Sequence, residues 1–245
     1  MTETLDELAF AVNDTLQRKH GNVIIPAFAV GRTQDILYLL GDLSRRGKIS
    51  AHIKIYVDSP MAVSATEITF KHFDLLSQEA KDIMDWRNHN GDLPDINFVG
   101  DVEESIALND IRSGAIIISA SGMCDAGRIK HHLRYNLGRK ECSIVITGFQ
   151  AGGTLGRRLV DGAKMVRIFK QEIPVRADLY TIGGLSAHAD RDALLGWLGH
   201  FKKQPPHVFV VHGEESVALE FAAQMKTRLG WDAHVPENGD TYETE

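Results

Sequence analysis

Apolar and polar positions along the chain repeat with two periods. Leu5, Leu8, Ala9, Val12 and Leu16 fall on one helical stripe, which predicts a helix over 3–19 that ends before Gly21. Short, nearly continuous apolar runs follow at Asn22–Pro26, His52–Val57, Ile96–Val99, Gly114–Ser119 and Cys142–Thr147. Runs this short and this apolar read as strands buried on both faces. Helical patterns at 32–46, 60–72, 77–88, 102–109 and 126–137 lie between them. Strand alternating with helix predicts an α/β domain with a parallel sheet and helices on both faces. The texture changes near residue 164. Lys164–Phe169 and Val175–Ile182 are two closely spaced β segments, read as the start of a different structural unit. A helix at 190–200, a strand at 207–212, a helix at 214–229 and a strand at 232–235 complete it.

The polar residues of interest sit where strands end, the place where open α/β sheets bind ligands. Arg32 and Thr33 stand at a helix start, where free backbone N–H groups favour anions; Arg32 reads equally well as a surface charge. Asp58 and Ser59 either line a cleft or cap the next helix, which has Pro60 at its first position. Ser121 belongs to a small-residue loop, 120–127, that feeds the helix carrying His131 and His132. Adjacent histidines point to different helix faces and do not share a ligand easily. Gln150 and Gly152 lie in a loop with four glycines, 148–156, which either lets backbone amides approach a ligand or serves a tight turn. Arg157 follows directly. His188 and His212 each come after an apolar run and before a helical pattern, and Ser186, His188 and Asp190 put three polar groups within five residues. Histidine suits proton transfer or metal binding near neutral pH. The plainer reading has Asp190 capping a helix and the histidines closing a loop and a strand.

The formal net charge of −6 argues against wholesale polyanion binding. The balance is uneven, however. Residues 128–140 hold five Lys or Arg and no acid, and 157–176 hold six against Asp161 and Glu172. These are either solvated helix faces or a basic groove that follows a phosphate backbone. The two cysteines, Cys124 and Cys142, are too few for a disulfide framework, which sets a reducing, cytoplasmic compartment as the expectation. No apolar run approaches the ~20 residues of a membrane span.

Six segments taken together carry a resemblance: IPAFAVGRTQ (25–34), YVDSPMA (56–62), SASGMCDAGRIKHHL (119–133), TGFQAGGTLGRRL (147–159), GLSAHAD (184–190) and VHGEE (211–215). The chain resembles a β-CASP nuclease of the metallo-β-lactamase superfamily, the group that includes RNase J and the endonuclease of messenger-RNA 3′-end processing. The resemblance implies a flavodoxin-like β-CASP domain over about 1–172. The carboxy-terminal part of an αββα metallo-β-lactamase domain would then occupy about 173–245. It implies zinc-dependent hydrolysis of single-stranded RNA at a site holding two zinc ions. His212 would be a zinc ligand and His188 a general acid near the leaving oxygen. Ser186 would lie beside the substrate phosphate, with Arg32, Asp58, Ser59, Ser121, Gln150, Gly152 and Arg157 along the RNA.

None of the eleven histidines forms the H-x-H-x-D-H signature that the family carries in its amino-terminal half. One zinc ligand cannot hold a catalytic zinc, which takes about three protein ligands. The expectation is therefore a chain that is inactive alone, either a portion of a longer enzyme completed by an amino-terminal metallo-β-lactamase half or a naturally shortened relative. The competing expectation is a non-catalytic RNA-binding module. A small-phosphate binder using the 148–156 loop is a third, weaker reading. Apolar residues such as Val208, Phe209, Val210, Val211, Leu219 and Phe221 would lack cover without that other half, so a homodimer through the carboxy-terminal third is expected.

Overall fold

The computed structural model describes residues 2–82 and 94–243, in two compact units, Met1–Ser186 and Ala187–Glu245. The larger unit is built on a six-stranded sheet in the order β3-β2-β4-β1-β5-β8. Its strands are β1 (Val23–Pro26), β2 (Lys54–Asp58), β3 (Asp95–Phe98), β4 (Ala115–Ser119), β5 (Ser143–Ile146) and β8 (Asp178–Thr181), and every pairing is parallel. This is the expected mixed α/β architecture. The apolar runs of β1, β4 and β5 are buried at every position, because helices cover both faces.

The strand period of two divides those runs between two cores. Val23, Ile25, Ile55, Ile116, Ile118 and Val145 face α1 (Thr2–Asn13) and α2 (Arg32–Arg45). Ile24, Ile117, Ile144 and Ile146 face α5 (Ile129–Asn136) and α6 (Leu155–Val160). Between these helices in sequence come α3 (Pro60–Lys71) and α4 (Val102–Ala107). The connection from β1 runs through α2 to β2, and that from β4 runs through α5 to β5, in opposite directions along the sheet. Between β1 and β4 the winding therefore reverses, which opens a crevice at their carboxyl ends.

Three expectations change in detail. The helix expected over 3–19 is α-helical only to Asn13 and continues as a π-turn, Asp14–Arg18. Thr15 causes the change: its hydroxyl donates back to the Ala11 carbonyl, 2.7 Å, and lies 2.7 Å from Ser143 Oγ on the sheet. The strand read over 175–182 shortens to β8, and a strand that the sequence reading did not place precedes it. Residues Gln171–Pro174 form β7, antiparallel to β6 (Met165–Ile168), while β8 joins the main sheet beside β5. The strands read at 207–212 and 232–235 shrink to one parallel bridge between Phe209 and His234. Of the helix expected over 77–88, residues 78–82 are helical and 83–88 lie outside the described residues.

The smaller unit contains α7 (Arg191–Leu198) and α8 (Glu215–Leu229), packed through buried Leu195, Met225 and Trp231. None of Val208, Phe209, Val210, Val211, Leu219 and Phe221 is buried. No described helix is long and apolar enough to cross a membrane.

Candidate functional site

The loops after β1, β2, β4 and β5 all leave the carboxyl edge of the sheet. Asp58, the last residue of β2, is fully buried and is the hub beneath them. Arg128 Nη1 donates to its Oδ1 at 2.8 Å, and Ser105 Oγ of α4 donates to its Oδ2 at 2.7 Å. His132 Nε2 lies 2.6 Å from the same Oδ2. A carboxylate can only accept, so His132 carries its proton on Nε2. Ser119 Oγ donates to the Asp58 carbonyl at 2.7 Å, which ties β4 to β2. Burial raises the Asp58 pKa, but the bonds from His132, Ser105 and Arg128 outweigh it and hold the carboxyl below its ordinary range. Arg128 and His132 are four residues apart, so one helix face presents both to the carboxylate. That spacing was the available signal for two residues to which the sequence reading assigned no site role. His132 Nδ1 is buried and has no hydrogen-bond partner among the described residues.

Next to this hub the loops after β4 and β5 are sewn together. Gln150 is buried, and its Nε2 donates to the carbonyls of Gly122, 3.1 Å, and Gly148, 3.2 Å. Leu155 N donates to Asp125 Oδ1 at 2.9 Å and Gly156 N to the Met123 carbonyl at 3.0 Å. A Cβ at Gly156 would collide with the Gln150 amide, and a Cβ at Gly127, where φ is +82°, with the Ala120 carbonyl. Gly127 needs glycine on both counts, and Gly156 needs it as long as Gln150 keeps its place. The loop after β1 closes on the same place, since a Cβ at Gly122 would come within 3.0 Å of the Phe28 ring.

Ser59 is buried and caps α3, accepting from Ala62 N at 3.3 Å. Ser121 is half-buried and accepts from Ala126 N. Arg32 is half-buried, 3.5 Å from Asp35, and opens α2 behind Gly31. Gly152 and Arg157 are exposed, Arg157 bridging to Asp161 at 2.9 Å. The structure thus gathers Asp58, Ser59, Ser121, Gln150, Gly152, Arg32 and Arg157 at or near the loops of one sheet edge. Asp58, Ser59 and Gln150 face inward as fastenings; Arg32, Ser121, Gly152 and Arg157 reach solvent in whole or in part.

Ser186 ends the larger unit and is exposed. In the smaller unit His188 is exposed in the loop before α7, and Asp190 caps that helix, accepting from Ala193 N at 2.8 Å. His212 is exposed after Val208–Val211, with a left-handed backbone, φ +68°. No group of three or more His, Cys, Asp and Glu lies together among the described residues. These residues therefore do not form a zinc cage by themselves.

A doubly wound parallel sheet with paired glycine loops at its switch point defines an α/β domain of the kind that binds ligands in the crevice at the carboxyl ends of its strands. Residues 33–159, just over half of the chain, match the Beta-Casp domain, and residues 172–236 match the Zn-dependent metallo-hydrolase RNA specificity domain. The chain belongs to the Beta-Casp family. It is 34% identical to a protein named Ribonuclease TTHA0252 from Thermus thermophilus over 92% of its own length and 51% of the relative's. It is 33% identical to an RNase J-like protein from Methanocaldococcus jannaschii over 95% of its length and 52% of the relative's. It is 32% identical to the transcription termination factor FttA of Pyrococcus abyssi, covering 98% of this chain and 37% of that one. The chain therefore spans between about a third and a half of the length of these relatives.

Proposed function

We propose that this chain is the RNA-holding portion of a zinc-dependent ribonuclease that processes single-stranded RNA in the cytoplasm. One observation carries the reading. The loops of the first four family motifs converge on a single sheet edge, fastened from below by Asp58 and Gln150. The names of the ribonuclease and RNase J-like relatives support phosphodiester hydrolysis as the reaction. In this reading 1–172 is the β-CASP domain and 173–245 the carboxy-terminal part of a metallo-β-lactamase domain. Arg32, Ser121, Gly152 and Arg157 contact the RNA backbone, while Asp58, Ser59 and Gln150 hold the loops that do so. Ser186 sits beside the scissile phosphate, His188 gives a proton to the leaving oxygen, and His212 is one ligand of a two-zinc site. The other ligands come from an amino-terminal metallo-β-lactamase half, and the chain is inactive without it. Exposed Trp197, Val211, Val217 and Leu219 support a homodimer through the carboxy-terminal third.

The purified chain, given zinc and end-labelled single-stranded RNA, is expected to bind without cutting, and binding should weaken steeply with salt. Cleavage that survives re-purification and disappears in His188→Ala would overturn the inactivity. Absence of binding at low salt would overturn the RNA reading. Co-expression with the amino-terminal half separates this reading from a purely non-catalytic RNA-binding module, which the basic runs also support: only the enzyme gains hydrolysis. Light scattering across a concentration series tests the dimer, and a monomer mass throughout rules it out.

A further inference from the structure

The two basic runs of the sequence, 128–140 and 157–176, meet on one face of the larger unit. Phe169, at the tip of the β6–β7 hairpin, lies over α5. Its ring is 4.5 Å from the ring of His131, tilted by 36°, and Lys130 Nζ is 5.2 Å from its centroid. One helical turn from His131, on the same side, stands Tyr135, with the Arg134 guanidinium 5.6 Å from its ring. Phe169 is 43% and Tyr135 49% exposed. Rings and cations thus alternate along the surface, and Lys170 and Arg167 are exposed beside them.

Anchoring the hairpin does not require Phe169. Val166 and Ile168 are buried in the core on its inner face, and the strands pair in full register from Met165↔Pro174 to Ile168↔Gln171. Phe169 and Lys170 form the two-residue turn with φ of +48° and +64°, a conformation that favours Asn and Gly. Bulky residues held there cost stability, which points to a use for their side chains. Glu172, the single acid in 164–176, stands opposite Arg167 across the hairpin, so the tip itself stays positive.

We propose that Phe169, His131 and Tyr135 form a stacking platform for successive bases of single-stranded RNA, with Lys130, Arg134 and Lys170 as phosphate contacts. The inference rests on the RNA reading above and extends it from the loops at the sheet edge to the face formed by α5 and the β6–β7 hairpin. Bases present a π-face whatever their identity, so aromatic rings between cations hold a strand without reading its sequence. Burial, helped by the neighbouring His132 and Arg134, lowers the His131 pKa, so its ring stacks as a neutral aromatic near pH 7.

Binding of a fluorescein-labelled oligoadenylate of about a dozen nucleotides to the full chain, followed by anisotropy across a salt series, tests it. Phe169→Ala is expected to weaken binding about tenfold with an unchanged salt slope, and Phe169→Trp to retain it. Lys130→Gln is expected to lower the slope by about 0.7. Tyr135→Ala, on a helix rather than a turn, provides a second variant, and circular dichroism with a thermal melt checks that each is folded. Unchanged affinity in both aromatic variants, while Arg32→Ala and Arg157→Ala weaken binding, overturns the platform and leaves the RNA reading standing. No binding by the unmodified chain defeats both. If Phe169→Ala changes the molecular mass in solution and not RNA affinity, the face is a protein contact and the platform is wrong.

Discussion

Asp58 meets two cationic or protonatable groups and a hydroxyl through one buried carboxylate, so its loss strands several partners at once. Asp58→Asn is expected to cost about 3 kcal/mol, because removing one member of a buried pair leaves the other charge uncompensated. Urea denaturation measures it. The sign of the pH effect follows from its lowered pKa. An unfolded Asp titrates near ~3.9, so the contribution is fully present above that pH and is lost as pH falls toward the lower folded value. The acid limb of the stability curve should therefore be flatter in the Asn variant, while a constant offset remains at neutral pH. At the neighbouring loops, Gly156→Ala forces a methyl into the Gln150 amide and is expected to cost about 1–3 kcal/mol. Gln150→Ala in the same molecule should recover part of that loss, and a double-mutant cycle reads the coupling. Additive effects would show that the two residues do not collide.

Among the elements, those with their whole cause in local sequence were legible before any coordinates. The runs of β1, β4 and β5 are apolar at nearly every position because both faces are covered, and the motif residues at their ends fell on the loops as expected. What escaped depends on distant partners. In the edge strand β8 Leu179 and Tyr180 are half-buried and Asp178 and Thr181 exposed, and nothing in DLYT announces that β5 rather than β7 will be its neighbour. The π-turn after Asn13 depends on Ser143, more than a hundred residues away. At the site, Arg128 and His132 were hidden because their role is set by Asp58 on another strand. Asp190 shows the reverse, a residue whose local reading as a cap suffices. Asp190→Ala is expected to destabilise the smaller unit by about 1 kcal/mol and Asp190→Ser to restore it, as followed by hydrogen exchange in α7. Equal loss with Ser would assign Asp190 a task other than capping.

At the scale of the whole molecule, two units of very different core size share one chain. The larger has two extensive buried clusters; the smaller has, among its described residues, four buried apolar side chains, Leu195, Ala218, Met225 and Trp231, with a partly covered fringe. A small unit with so few buried groups is marginal on its own. Calorimetry should show the smaller unit melting first, as a separate transition below that of the sheet. Limited proteolysis should cut first in the exposed stretch 186–190. A single sharp transition with resistance to cleavage there would mean that the two units unfold as one.

The stitching of the loops after β4 and β5 also bears on how such a molecule can be rebuilt. Gln150 holds the carbonyl of Gly122, Asp125 caps the amide of Leu155, and Gly156 leans on Met123. Each loop is half of a lock whose other half lies about thirty residues away. Grafting 148–156 alone from a relative breaks contacts that only the donor's own 120–127 can replace. The two segments are a single unit of exchange, and chimeras that move them together should keep their fold where one-sided transplants lose it.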